Sequence, residues 1–83
     1  MKQEEIFERL SEIFRDVLDN EHLVLQADTT STDVDGWDSV NHINLIVAIE
    51  EAFRIQFSSS ELEKMFDVRS LITAIEEKCA TSR

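Results

Sequence analysis

Ser39 is the residue of this chain best placed for chemistry, because it follows Asp38 at the end of the sequence Gly36-Trp37-Asp38-Ser39. Residues 40–53 contain no glycine or proline, so a helix is predicted to begin at Ser39. Asp38 is suited to cap this helix, because its carboxylate can accept hydrogen bonds from backbone N–H groups of the first turn. Those N–H groups and the helix dipole favour negative charge, so a phosphodiester on the Ser39 hydroxyl would be stabilised.

His42 lies three residues after the serine and suggests a second possibility, a catalytic pair in which His42 acts as a base toward Ser39. The spacing puts the two side chains on nearly the same helix face. However, no Gly-x-Ser-x-Gly turn surrounds the serine, and a histidine alone supplies neither an orienting acid nor an oxyanion hole. A hydrolase is therefore the least favoured function. His42 is interpreted first as a core-edge or loop-bonding residue, and second as a modulator of partner recognition.

The helix predicted over residues 39–53 has more apolar residues than one buried face requires. The side expected to enter the core consists of Leu45, Ile46, Ile49 and Phe53. A second stripe begins beside the serine and consists of Val40, Ile43 and Val47. Packing under the preceding loop and contact with a partner or a bound acyl chain are both open for this second stripe. Its nearness to Ser39 favours a partner contact.

Residues 38–53 resemble the signature of acyl carrier proteins, which reads Asp-Ser-Leu followed by an amphipathic helix ending in Glu-Glu-x-Phe. The matching residues are Asp38, Ser39, Val40, Ile43, Leu45, Ile46, Ala48, Ile49, Glu50, Glu51 and Phe53. An isolated Asp-Ser pair would be interpreted as a simple helix cap, but the length of this match is far more specific. The resemblance implies a covalent 4′-phosphopantetheine group on Ser39, with Asp38 as N-cap and recognition residue.

The resemblance also implies a non-catalytic carrier. A phosphopantetheinyl transferase would supply the arm from coenzyme A. The arm would hold acyl intermediates as thioesters for fatty-acid, polyketide or related biosynthesis. The partners implied are acyl-activating enzymes, acyltransferases or ketosynthases, bound through their basic patches. The predicted contact surface, with the two glutamates facing outward, consists of Val40, Ile43, Val47, Glu50 and Glu51.

Two other functions stay open. The same fold and serine would serve a carrier of aminoacyl or peptidyl groups, which the identity of the activating enzyme would distinguish. An unmodified helical docking module is less favoured, because it would make the intact Asp38-Ser39 pair incidental.

Several residues near the serine depart from the commonest form of the family. Trp37 precedes the Asp-Ser pair and Val40 follows it. Uncharged residues stand where many fatty-acid carriers have acidic ones, and these are Asn41, His42 and Asn44. The pattern resembles free-standing carriers of specialised pathways more than the housekeeping fatty-acid carrier.

Acidic residues outnumber basic ones by 18 to 8, which gives a formal charge of −10. This balance argues against nucleic acid as a partner, because phosphate binding needs clustered lysine and arginine. Basic protein surfaces are the natural complement. The single cysteine excludes an internal disulfide and offers no metal-ligand cluster. The start has no apolar signal region and no run reaches membrane-spanning length, so a cytoplasmic protein without membrane insertion is expected.

The elements that must position Ser39 begin with a helix predicted over about residues 3–18, where apolar residues recur at spacings of three and four. Residues 19–37 lose this period and predict a long loop. The residues expected to pin the loop to the core are Leu23, Val24, Leu25 and Trp37. Asp33 and Asp35 match the acidic residues that precede the serine in the family.

Residues 33–36 of this loop also suggest a calcium loop of the EF-hand type. If Gly36 were its sixth residue, Ser31 would be the first and His42 the twelfth. Calcium loops of this type have an aspartate at the first position and a bidentate glutamate at the twelfth, and both of these strong ligands are missing here. A solvated acidic turn is therefore favoured, and no metal site is predicted.

The rest of the chain predicts two more helices. Ser58 and Glu61 form a capping box for a short helix over about residues 59–65. In the family this helix borders the acyl cleft. Phe66, just after it, is a candidate for the same border, although core packing is favoured. Asp67 is predicted to cap a last helix over about residues 68–80.

After the second helix the family usually has glycine, and Arg54 here is expected to shift or extend the helix end slightly. Together these patterns predict an all-α fold with one domain over residues 1–83. We expect a monomeric, acyl-carrier-like bundle of three main helices and one short helix, with the long loop between the first two.

Overall fold

The computed structural model describes residues 2–81 and confirms the predicted all-α fold. In chain order the helices of this part are α1 (Gln3–Val17), α2 (Ser39–Phe53), α3 (Ser59–Leu62) and α4 (Val68–Thr81). A 3₁₀ turn, Ser31–Asp33, lies in the long connection before α2. The ends of the predicted domain, Met1, Ser82 and Arg83, lie outside the described residues. No helix in residues 2–81 is long and apolar enough to cross a membrane.

One apolar core holds the three long helices together, and α1 packs against both α2 and α4. Each long helix contributes side chains that are wholly shielded from solvent. They are Ile6, Leu10, Phe14, Leu45, Ile49, Val68, Leu71 and Ile75. Burying a side chain of this size contributes roughly 1.5–3 kcal/mol to the free energy of folding. The core therefore fixes the position of α2, whose first residue is Ser39.

The long loop is pinned to the core as predicted by Leu25 and Trp37, which are 4% and 5% exposed. Val34 is buried as well, although the sequence did not indicate it. The prediction was wrong for Val24, which is 70% exposed between the half-buried Leu23 and the buried Leu25. Neighbouring side chains of an extended segment point to opposite sides, so only the two leucines can face the core.

The loop is also fastened to the segment between α3 and α4 by backbone hydrogen bonds. The Ser31 N–H donates to the Phe66 carbonyl at 2.8 Å, and the Val68 N–H donates to the Thr29 carbonyl at 2.8 Å. These two bonds flank a bridge between Thr30 and Asp67. The loop thereby fixes the backbone of Phe66, close to the site described below.

The end of α2 differs from the prediction, because Arg54 neither shifts nor extends it beyond Phe53. Arg54 takes the left-handed conformation usual for glycine, with φ 57° and ψ 50°, and its N–H donates to the Glu50 carbonyl. This turn directs Ile55 back into the core, where it is 6% exposed.

The short helix α3 ends at Leu62, earlier than the predicted residue 65, and Met65 then enters the core. Its capping box is present, since Ser58 Oγ accepts from the Glu61 N–H at 3.3 Å and Glu61 Oε1 accepts from the Ser58 N–H at 2.9 Å. Glu61 also pairs with Lys78 of α4 at 3.1 Å. The pKa of the Glu61 carboxyl is held below its usual value of 4.5, first by the Ser58 N–H and then by Lys78. The start of α4 is capped as predicted, because Asp67 Oδ2 accepts from the Ser70 N–H at 3.1 Å.

We expect Arg54→Gly to raise the free energy of unfolding by up to ~1 kcal/mol. A left-handed conformation costs an L-residue roughly 1–2 kcal/mol, and the extra unfolded-state entropy of glycine offsets about 0.5–1 kcal/mol of this gain. Urea unfolding monitored by circular dichroism measures the difference. The control is Ala52→Gly inside α2, which should lower the same free energy by about 1 kcal/mol. An Arg54→Gly protein no more stable than the wild type would contradict the expectation.

Glu61 should make the stability of the chain depend on pH. Because folding lowers its pKa, its stabilisation is present above pH 4.5 and is lost as pH falls through the lower folded pKa. Thermal unfolding across pH should therefore show Glu61→Gln differing from the wild type most at neutral pH and least in acid. Glu63→Gln removes a carboxylate from the same turn as a control, and the same pH dependence in both variants would refute this role of Glu61.

Candidate functional site

Ser39 is the first residue of α2, and its side chain is exposed. Asp38 occupies the N-cap position in an extended conformation, and its Oδ1 accepts from the Asn41 N–H at 2.8 Å. The Ser39 hydroxyl therefore projects from a helix start that favours anions. The geometry gives Ser39 a solvent-facing oxygen on a rigid element.

Gly36 forms the turn that leads into this helix start. Its φ of +90° lies in the region that favours glycine. Its carbonyl accepts from Asn41 Nδ2 at 2.7 Å and from the Asp38 N–H at 3.0 Å. A Cβ at this position would meet no atom closer than 3.7 Å, so backbone conformation and not space selects glycine.

His42 is buried, and its hydrogen bonds argue against a catalytic role. Its Nδ1 accepts from Trp37 Nε1 at 2.9 Å, and its Nε2 lies 2.9 Å from the Leu62 carbonyl oxygen. An indole N–H can only donate and a carbonyl oxygen can only accept, so these partners assign the neutral imidazole with its proton on Nε2. Both nitrogens are committed, and neither can take a proton from Ser39. His42 is thus the loop-bonding residue that the sequence favoured.

His42 is one of four rings that lie in a row, which we call the ring row: Phe14, Trp37, His42 and Phe66. Phe14 meets Trp37 edge to face with centroids 4.8 Å apart, and His42 stacks on Phe66 at 4.0 Å. The row joins α1, the loop, α2 and the segment after α3. If both bonds were broken, the Nε2–H donor and the Nδ1 acceptor of the buried His42 would lack partners. Each loss would lower the free energy of unfolding by about 1–3 kcal/mol.

A cleft of about 340 Å³ opens between α2 and α3 beside the serine. Its rim includes Ser39 and Ile43 on one side and Ser59 and Glu63 on the other. His42, 4% exposed, is the most buried of the lining residues, and Phe66 lines the cleft beside it. His42 and Phe66 of the ring row therefore form the floor of the cleft. A larger groove of about 670 Å³ lies near the other end of α2 and does not include Ser39.

The second stripe is not covered by the loop, so that alternative was wrong. Val40, Ile43 and Val47 are 70%, 59% and 47% exposed. Glu51 is exposed beside them, as predicted. Glu50 differs from the prediction, because it is half-buried and its Oε2 accepts from the Phe57 N–H at 2.8 Å. The turn after α2 needs that acceptor, so Glu50 serves the fold.

The acidic loop residues do not form a metal cage in the structure. Asp33 Oδ2 accepts from the Thr30 N–H at 3.0 Å and from its hydroxyl at 3.2 Å, which caps the 3₁₀ turn. Within residues 2–81, no group of three or more histidine, cysteine, aspartate or glutamate side chains is arranged to hold a metal ion.

Sequence reasoning missed the partners of His42, although it singled out both His42 and Trp37. One signal was available, because a buried tryptophan N–H usually finds an acceptor, and His42 lies in the first turn of the helix that follows. The Leu62 carbonyl could not be foreseen, since it lies twenty residues away along the chain.

The chain resembles known proteins over most of its length. No family model matches it. Acyl carrier protein from Petrotoga mobilis is 31% identical over 78 residues, which cover 94% of this chain and 92% of that protein. Acyl carrier protein from Buchnera aphidicola is 36% identical over 73 residues, covering 88% and 91%. The solution structure of holo acyl carrier protein from Geobacter metallireducens superposes with a TM-score of 0.83 at 39% identity, covering 90% of this chain and 86% of that one.

We expect Trp37→Phe to lower the free energy of unfolding by about 1–3 kcal/mol, because it leaves His42 Nδ1 buried without a donor. A double-mutant cycle with His42→Leu separates this loss from the smaller ring volume. Once His42 is absent, Trp37→Phe should cost less, with a coupling of about 0.5–3 kcal/mol. Additive effects in chemical unfolding would show that the hydrogen bond contributes nothing.

Proposed function

Because the chain belongs to the acyl carrier protein family, we propose that it carries acyl groups on a 4′-phosphopantetheine arm attached to Ser39. The observation that carries this proposal is the exposed Ser39 hydroxyl at the start of the Asp38-capped helix, beside a cleft. A holo member of the family with the same fold supports it. The site fits a phosphodiester, because the hydroxyl is accessible and the helix start favours its negative charge.

The attachment uses this chain only as the acceptor. The Ser39 oxygen would form a bond to the coenzyme A phosphorus that bears pantetheine, while the bond to the second phosphate breaks and 3′,5′-ADP leaves. The hydroxyl proton would pass to a base on the phosphopantetheinyl transferase, since both nitrogens of His42 are engaged. The terminal thiol of the bound group supplies a thioester linkage to the cargo. The role of this chain is to orient and shelter that linkage without catalysing a reaction.

The surface beside Ser39 is suited to brief contacts with partner enzymes. The exposed second stripe supplies apolar area, and Glu51 and the overall charge of −10 attract basic patches. Such contacts are weak, which lets a carrier leave each partner, and they weaken further as salt rises. We assign this surface to the transferase and to acyl-activating, acyltransferase or ketosynthase enzymes of fatty-acid, polyketide or related biosynthesis in the cytoplasm.

Intact mass measured before and after incubation with coenzyme A and a broad-specificity phosphopantetheinyl transferase tests this function. The wild type should gain one phosphopantetheine group, and Ser39→Ala should gain none. Ser59→Ala is the matched control, because Ser59 is an exposed serine on the rim of the same cleft, and this variant should be modified like the wild type. A folded wild type that starts unmodified and gains no mass would favour an unmodified docking module instead.

A further inference from the structure

The lining of the cleft beside Ser39 is mostly apolar, but its floor includes a side chain that is hydrogen-bonded on two sides. This side chain is that of His42, and its two ring nitrogens bond Trp37 on the core side and the Leu62 carbonyl of α3. On the core side of His42 lies Trp37, which is 5% exposed. A cargo entering from Ser39 would therefore meet a hydrogen-bonded ring before it met the core.

This floor is held from several elements at once. Phe66 stacks on His42 at 4.0 Å, and the Phe66 carbonyl accepts from the loop residue Ser31 at 2.8 Å. Phe14 of α1 supports Trp37 from the opposite end of the ring row. Moving His42 aside would disturb α2, α3 and the loop together, because close-packed side chains do not shift singly.

An acyl chain gains little by displacing His42. If His42 were displaced, the Trp37 N–H and the Leu62 carbonyl would lose their partner. Burial of the acyl chain would have to offset this loss, which takes roughly 3–8 buried methylene groups. Further methylenes would then need space among packed core side chains, and overpacking a core is itself destabilising. A chain that instead ran outward over the rim would pass the exposed carboxylate of Glu63.

We propose that His42 is a specificity-determining residue that closes the cleft and limits this carrier to short acyl cargo. Only the first few carbons beyond the thioester find apolar contact in the cleft. The additional carbons of a longer chain stay outside the protein. This inference rests on the proposed attachment of the arm to Ser39, and it concerns the length of the cargo that the domain can shelter.

A chain-length series tests the proposal on the whole protein. The unmodified protein is loaded by the transferase from butyryl, hexanoyl, octanoyl and dodecanoyl coenzyme A, and intact mass verifies each product. The melting temperature and the emission of Trp37, the only tryptophan of the chain, are then measured. Both should stay constant from hexanoyl to dodecanoyl. A melting temperature that climbs with every added pair of carbons, together with a shift of Trp37 emission, would overturn the proposal.

His42→Ala should give the opposite result from the wild type, because this substitution removes the floor and joins the cleft to the core. In this variant the melting temperature should rise with chain length. Ser59→Ala is the matched control, since Ser59 lies on the rim of the same cleft but outside the surface assigned to partner enzymes, and it should keep the constant profile of the wild type. A constant profile in folded His42→Ala would also overturn the proposal.

If His42→Ala does not fold, the wild-type series decides by itself. Absence of any mass adduct on the wild type would overturn both this proposal and the proposed function. An adduct combined with a length-dependent wild type would overturn this proposal alone. The two failures are therefore distinguishable.

Discussion

The hydrogen bond from Trp37 to His42 is the interaction on which the site depends. A buried indole N–H needs an acceptor, and meeting that need leaves the proton of the imidazole on Nε2. The proton then satisfies the Leu62 carbonyl at the end of α3, where helical carbonyls lack partners within the helix. A helix of four residues has little stability alone, so α3 keeps its place through such contacts. One donor in the loop thus fixes the opposite wall of the cleft.

The start of α2 illustrates how a small domain keeps one group accessible while burying its neighbours. Asp38 caps the helix, and Asn41 returns a side-chain hydrogen bond to the Gly36 turn, so Ser39 is held outward by local contacts. Three residues later the same helix buries His42. The first turn of α2 therefore supplies both an exposed hydroxyl and part of the floor of the cleft beside it.

The features that could be predicted from the sequence are those that depend on nearby residues. Helical spacing predicted the long helices, and the caps at Ser58 and Asp67 were found because each acts within three residues. Val24 was assigned to the wrong side because the sequence does not show which residues of an extended segment face the core. The left-handed Arg54 could not be foreseen, since its conformation is imposed by the return of the chain to the core. The bond from His42 to the Leu62 carbonyl depends on a tertiary contact that no local pattern encodes.

The paired backbone hydrogen bonds between the long loop and the segment before α4 make two distant stretches one cooperative unit. Ser31 and Val68 donate to Phe66 and Thr29, so neither stretch can open unless the other loses its partners. Partial unfolding follows such shared bonds, and regions linked in this way exchange their amide hydrogens together. An opening of the loop consequently also releases the backbone of Phe66, whose side chain lines the cleft beside Ser39.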